Sequence, residues 1–324
     1  MAFSCRRIAR LALPIMLVLG ASMPRVAAAA EDWVEPRFDP PVGSKWTIER
    51  ELNAEKVNAG TMVGHTLKET ALLTIEAKTA DGFLVTYTRQ SSTYDGDTAG
   101  AAAQRLAFAA QQGLVIRIAT DAAGKPLRIV NFGEVKAALK KASEAQPAGS
   151  ENPVVLDSVR RCAEVDDKRA AALCLDALPL LAMAQNTGLK PGEIRKSTLP
   201  VANAPGPGIA KTLTLSIAKT YPDTGAVRYL MTETYDADSM KALVAEAVKQ
   251  RAVTNVSAVE QAIKSAVVAS VARAQFDVAG GMTRELRRRS VTSFRFPDSH
   301  SVTTEDELVT VSPAEVAAAA TPTN

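Results

Sequence analysis

Few residues in this chain could do chemistry, and their spacing selects little of it. The 324 residues include two histidines and three cysteines. A zinc site draws three or four protein ligands from short spacings. His65 and His300 each stand alone, and the chain has no His-Glu-x-x-His or Cys-x-x-Cys pattern. His65, beside Gly64, and His300, beside Pro297-Asp298-Ser299, read as solvated loop residues. No metal site and no cofactor are expected. The Gly-x-Ser-x-Gly elbow and the Ser-x-x-Lys pair of serine hydrolases are absent too. A triad assembled in space would have only these two histidines to draw on. A hydrolase acting through carboxylates alone needs two that face each other, and no spacing here picks such a pair. The chain is therefore read as a non-enzyme with no catalytic residue assigned.

Two smaller fragments resolve in the same way. Asp95-Gly96-Asp97 resembles part of a calcium loop but lacks the later carboxylates at fixed positions, and reads as a hairpin or loop tip. Pro205-Gly206-Pro207-Gly208 has the glycines of a phosphate loop without the following Lys-Ser/Thr, and reads as a linker.

Cys162 and Cys174 form an even pair in a chain read as exported, and are expected to form a disulfide. On one straight helix, twelve positions at ~1.5 Å rise would hold them ~18 Å apart, far beyond disulfide reach. The pairing thus requires a reversal near Val165-Asp166-Asp167, between helices at about Val154–Glu164 and Lys168–Ala184. A bridge closing so short a loop stabilises by about 3 kcal/mol.

One charge cluster stands out: Arg284, Arg287, Arg288 and Arg289, followed by Arg295. Two readings stay open. The arginines could contact an anionic surface such as lipid headgroups or a polyanionic glycan. Alternatively, strands over Thr283–Phe296 and Val302–Val311 pair through the Pro297–Ser299 turn. Arg288 and Arg289 then lie opposite Glu307 and Asp306, in ion pairs worth about 0.2–1 kcal/mol each.

The first thirty residues set the expected location. Arg6, Arg7 and Arg10 precede the apolar run Leu11–Met23, and Val26–Ala30 supplies small residues, so residues 1–30 read as a signal peptide cut near Ala28–Ala30. The expectation is a periplasmic or secreted protein. Removing the leader's four arginines takes the formal charge from +3 to −1, so nucleic-acid binding loses its electrostatic support. No second apolar run approaches the ~20 residues of a membrane helix.

The remaining chain must supply the elements that position any site. Trp46, Ile48 and Leu52 alternate with Thr47, Glu49 and Glu51, and Leu67, Ala71, Leu73, Ile75 and Ala77 with polar neighbours. Ala80-Asp81-Gly82 turns the chain into a return strand carrying Phe83, Val85 and Tyr87. A hairpin spans Leu114–Val130, with Asn131 capping a helix from Glu134 to Ala145. Further strands are read near Leu213–Ile217, Val227–Tyr235, Gln275–Val278, Thr283–Phe296 and Val302–Val311. A helix capped by Asp238 runs to Val248, and Ser257 with Glu260 forms a capping box for another helix, Val259–Val271.

These elements predict an α+β fold: a curved antiparallel β-sheet built from hairpins, with amphipathic helices packed on one face, possible as two similar halves. The domain spans 31–312, with halves at 42–185 and 190–312, and 313–324 form a disordered tail. Val42–Glu51 (VGSKWTIERE) and Asp121–Leu139 (DAAGKPLRIVNFGEVKAAL) carry an outline that resembles exported bacterial proteins of uncharacterised function, a strand-rich domain behind a leader. A curved sheet closing over helices also looks like periplasmic lipoprotein carriers and related lipid-binding half-barrels. That resemblance is one of fold; the abundance of apolar strand faces and the absence of catalytic clusters point to a non-catalytic binder or carrier of an apolar or amphiphilic ligand, such as a lipid, held between sheet and helices. Leu73, Ile75, Val85, Leu213 and Leu215 are the expected cavity lining. The alternative is a structural or interaction protein of the envelope, with a protein partner and no small-molecule ligand.

Overall fold

Eleven antiparallel strands form one sheet in the order β5-β4-β3-β2-β1-β11-β10-β9-β8-β7-β6. The computed structural model describes residues 34–58, 60–96, 105, 109, 111–144, 166–168, 188–200, 210–250, 256–296 and 299–314. The strands are β1 Lys45–Asn58, β2 Thr61–Lys78, β3 Gly82–Gly96, β4 Val115–Asp121, β5 Pro126–Ile129, β6 Ile194–Pro200, β7 Ala210–Tyr221, β8 Ala226–Tyr235, β9 Val267–Ala279, β10 Met282–Arg295 and β11 His300–Pro313. Three helices complete the described elements: α1 Phe132–Glu144, α2 Ala237–Gln250 and α3 Val256–Ser265. Trp33–Asn324 is one unit by its contacts, and Met1–Asp32 is another.

The topology is two meanders laid back to back. The first runs outward from the centre, β1 to β5, and the second runs inward, β6 to β11. They join where β1 and β11 pair along their lengths, from Trp46 opposite Pro313 to Asn58 opposite Ser301. Residues 42–185 and 190–312 therefore contribute strands to a single sheet.

Alternation buries one face. Trp46 and Ile48 of β1 share it with Ala71, Leu73 and Ile75 of β2, Val85 and Tyr87 of β3, and Val309 and Val311 of β11. The same face continues through Leu286, Phe276, Tyr229 and Leu215 toward the other edge. Helix α1 adds Phe132, Val135 and Leu139 to this core. The segment before β1 adds Phe38, whose ring meets Phe83 edge-on at 5.1 Å, and Val34 bridges Leu189 through a pair of 2.9 Å backbone bonds.

This architecture corrects the α+β expectation. The molecule is predominantly one large antiparallel sheet with a few short helices, and not a sheet with amphipathic helices packed along one face. Two physical causes account for the difference. The strands run well past their apolar segments: β1 and β2 continue through Asn53–Thr66, where Ala54, Val57, Met62 and Val63 make no sustained apolar alternation, to a turn at Gly60 (φ +85°). Second, Val267–Val271, read as the end of a helix, begins β9, and α3 stops at Ser265. Ala and Val fit either period in so short a run.

Local details shift in the same spirit. Helix α2 is capped by Asp236, whose Oδ2 accepts bonds from the Ser239 N–H (2.8 Å) and hydroxyl (2.7 Å), and Asp238 lies inside the first turn. Asn131 accepts a bond from the Arg117 N–H (2.9 Å) and donates to the Val115 carbonyl (2.9 Å), so its amide ties α1 to β4. Cys162 and Cys174, the 1–30 leader and most of the 154–184 helices lie outside the described residues.

Candidate functional site

The period of two assigns the arginine cluster to different faces. Residues 287 and 289 point to the solvent side of β10, while 284, 286 and 288 point to the buried side. Arg284 sits in a bulge where the β9–β10 register shifts, with its guanidinium 4.3 Å from the centre of the Trp46 ring and its Nε donating to the Ala279 carbonyl. Burial pulls its pKa below the usual arginine range. Arg287 is exposed and bonds Glu285 at 2.6 Å. The β10–β11 register sets Arg288 opposite Glu307 and Arg289 opposite Asp306. The four residues therefore do not form one cationic surface.

Arg288 belongs instead to a buried belt of charge across the apolar face. Arg50 donates from Nε to Glu307 at 2.7 Å, and Arg288 lies 3.7 Å from both Glu307 and Glu233. Glu233 also pairs with Lys211 on β7. On the other side, Glu69 stands opposite Arg50, pairs with Arg89 at 3.0 Å and accepts the Tyr87 hydroxyl. Ala272 and Ala274 on β9 leave room for Arg288 to reach across that strand to Glu233. Glu69, Glu307 and Glu233 are almost fully buried. Burying such groups is costly unless they are paired, and here each carboxylate has a cationic neighbour. Glu69 Oε2, Arg288 Nε and the Tyr229 hydroxyl are buried without a hydrogen-bond partner among the described residues. Desolvation pushes the Tyr229 hydroxyl well above the ordinary tyrosine pKa.

The solvent face carries two shallow hollows that meet at Glu51 and Leu308. The first, about 330 Å³, spans β3 to β11 and is lined by Glu49, Lys68, Thr70, Ser91, Thr93 and Thr310 among others. The second, about 500 Å³, spans β1 to β8 and includes Arg273, Gln275, Arg287, Arg289, Asp306 and Leu230. Leu230 is 45% exposed and Leu308 36%. Beyond the arginines, exposed Val291 and Val57 and half-exposed Val271 and Val302 continue the same face toward the strand ends.

The residues expected to line an apolar cavity fall in two places. Leu73, Ile75 and Val85 are buried neighbours on β2 and β3. Leu215 is buried and Leu213 partly buried on β7, with five strands between β2 and β7. None of them lines either hollow. His65 is a strand residue of β2, stacked on Tyr94 at 5.0 Å, and His300 opens β11, 3.1 Å from the Ser293 hydroxyl. Asp95 and Gly96 end β3, paired with Thr66 and His65. Among the described residues no three His, Cys, Asp or Glu side chains gather as metal ligands, and no helix is long and apolar enough to cross a membrane.

Sequence reasoning passed over Arg273, Leu230 and Leu308. Arg273 fell between a helix read too long and a strand read too short. The signal was present: Val268, Ser270, Ala272, Ala274, Phe276 and Val278 alternate without a break, which puts Arg273 on the outer face.

No family model matches the chain, and no curated protein matches it in sequence. Among solved structures it is similar to lipovitellin, from a study of its lipid–protein interactions, at 12% identity and a TM-score of 0.43 over 87% of this chain and 26% of that one. The chain thus spans about a quarter of lipovitellin's length. It is also similar to an outer-membrane channel from Pseudomonas putida F1 (8% identity, TM-score 0.22, 85% and 97% of the two chains). OpdL of Pseudomonas aeruginosa gives 7% identity and a TM-score of 0.22 over 84% and 99%. Likenesses of this strength carry no weight for fold or function.

Proposed function

We propose that this is an exported, non-catalytic binding protein of the cell envelope whose ligand is amphiphilic and docks on the solvent face of the sheet. One observation carries the reading: exposed apolar side chains, Leu230, Leu308, Val291 and Val57, are interleaved on that face with arginines and a hollow of about 500 Å³. Val291 opposes Val271 and Val57 opposes Val302 on this face, and exposed apolar surface rimmed by polar groups marks interaction sites. The site differs from the interior cavity suggested by the apolar strand faces, because Leu73, Ile75, Val85 and Leu215 are committed to the core.

The test is native mass spectrometry of the protein purified from the periplasm, with organic extraction of bound species. A discrete co-purifying lipid that protects Leu230 and Leu308 strands from hydrogen exchange supports the reading. A clean apo mass, together with no binding of added neutral or anionic amphiphiles, overturns it.

A second reading is a protein-interaction role in the envelope. It is favoured by β6, the outermost described strand on its side, which exposes Ile194 (71%) and Leu199 (40%). An exposed apolar edge strand offers unpaired backbone to a partner. Capture of one defined partner by wild type, lost in Ile194→Lys, would support it.

A further inference from the structure

Arg273 and Arg289 occupy directly opposed positions on β9 and β10 and face solvent together. Directly opposed cross-strand side chains have Cβ atoms about 4.5–5.5 Å apart, and like charges there are destabilising. Neighbouring acids do little to relieve the pair. Arg289 has Asp306 at 3.7 Å, with both side chains more than half exposed, and Arg273 forms no ion pair among the described residues. On its other side Arg273 faces Thr232 of β8. Two guanidinium groups side by side match an oxyanion with several acceptor oxygens, which each can grip with two parallel N–H groups.

The surroundings narrow the ligand. Val291 and Val271 oppose each other one step further along the same face, two residues beyond Arg289 and before Arg273. One step the other way lie Arg287 and Gln275, flanked by Leu308 on β11 and Leu230 on β8. An anion site with exposed apolar side chains on both sides fits a charged head joined to a hydrocarbon chain. We infer that Arg273 and Arg289 hold the phosphate of a phosphate-bearing amphiphile, with its chain along Val271 and Val291. The inference rests on the proposed amphiphile-binding function and names its headgroup chemistry.

Three probes separate the outcomes when titrated by calorimetry in physiological salt: a monomeric twelve-carbon lysophosphatidate below its micelle concentration, the neutral twelve-carbon monoglyceride, and inorganic phosphate. Wild type binds the lysophosphatidate at least tenfold more tightly than the monoglyceride, a difference of about 1.4 kcal/mol. The double variant Arg273→Gln/Arg289→Gln loses that advantage and retains monoglyceride binding. Its unfolding midpoint moves little, because the like-charge repulsion removed offsets the exposed Arg289–Asp306 pair lost, and no core contact is touched. Inorganic phosphate binding as tightly as the lysophosphatidate would overturn the amphiphile and assign a free-phosphate site. Equal binding of the two amphiphiles by wild type and variant overturns the headgroup inference while leaving the broader function standing. Failure of both amphiphiles to bind wild type overturns both.

Discussion

Arg50 and Glu307 meet at 2.7 Å across 257 positions of sequence, on the two strands that join the meanders. Both side chains are more than nine-tenths buried. Their pairing locks the register of β1 on β11 in a way apolar neighbours cannot, because a two-residue slip keeps every side chain on its own face yet parts the two charges. Removing one partner leaves the other buried with weaker compensation, Glu307 keeping Arg288 at 3.7 Å, so the cost stays below the roughly 3–5 kcal/mol of a buried charge left with no partner. Arg50→Met and Glu307→Leu are each expected to destabilise by roughly 1–3 kcal/mol in urea unfolding. The double variant should recover part of the loss, since Arg288 keeps Glu233. Single variants within 1 kcal/mol of wild type would show that the pair contributes little.

Ala274 stands opposite Arg288 on one side and Met231 on the other, and its small side chain keeps the path to Glu233 open. Ala274→Leu fills that path. It overpacks a buried site, typically costing about 1–3 kcal/mol, and separates Arg288 from Glu233. The loss should shrink when Glu233→Gln is already present, because the contact being broken is then weaker. Thermal unfolding of the two singles and the double forms the cycle that measures it. Additive losses would mean that Arg288 and Glu233 are not coupled through this gap.

The hairpins were legible from the sequence where one face is apolar: Leu73, Ile75, Val85 and Tyr87 fall on the buried side as their alternation requires. The pairing of β10 with β11 was also legible, because Arg288 and Arg289 find Glu307 and Asp306 at matching steps from one turn. Other features depend on contacts that no local pattern records. Arg50 sits between Ile48 and Leu52 and finds its partner only when the ends of the chain pair. The Arg273–Arg289 juxtaposition required β9 to begin at Val267, where alanine and valine suit helix and strand alike. The solvent-face hollow is built from five strands, β1, β11, β10, β9 and β8, whose order follows from the β1–β11 pairing and from no single motif.

Two glycines with positive φ should behave differently on substitution. Gly60 (φ +85°) turns the β1–β2 hairpin with nothing within 4 Å of an added Cβ, so Gly60→Ala carries only left-handed backbone strain of roughly 1–2 kcal/mol. Gly281 (φ +73°) lies beneath the segment preceding β1, and an added Cβ would stand 2.7 Å from the Arg37 carbonyl oxygen and 3.0 Å from the Asp39 nitrogen. Both contacts are backbone, so the segment must move. Gly281→Ala is expected to cost more than Gly60→Ala and to accelerate proteolysis between residues 34 and 44. Equal losses with unchanged cleavage would mean the segment is not held by this contact.

His65 makes stability depend on pH. Desolvation lowers its pKa below the ordinary 6.5, and the opposing attraction of Glu305 is the smaller effect. The folded protein therefore takes up this proton less readily than the unfolded chain. Linkage then fixes the sign: stability is at its full value above about pH 6.5 and falls as the pH drops from there through the depressed folded value, levelling off below it. His65→Gln keeps a planar polar group against Tyr94 and removes the titration. The difference in unfolding free energy between wild type and His65→Gln, followed from pH 8 to pH 4.5, should decline with falling pH in that window. A flat difference would place His65 in water in the folded protein, and a rise would mean that Glu305 outweighs burial.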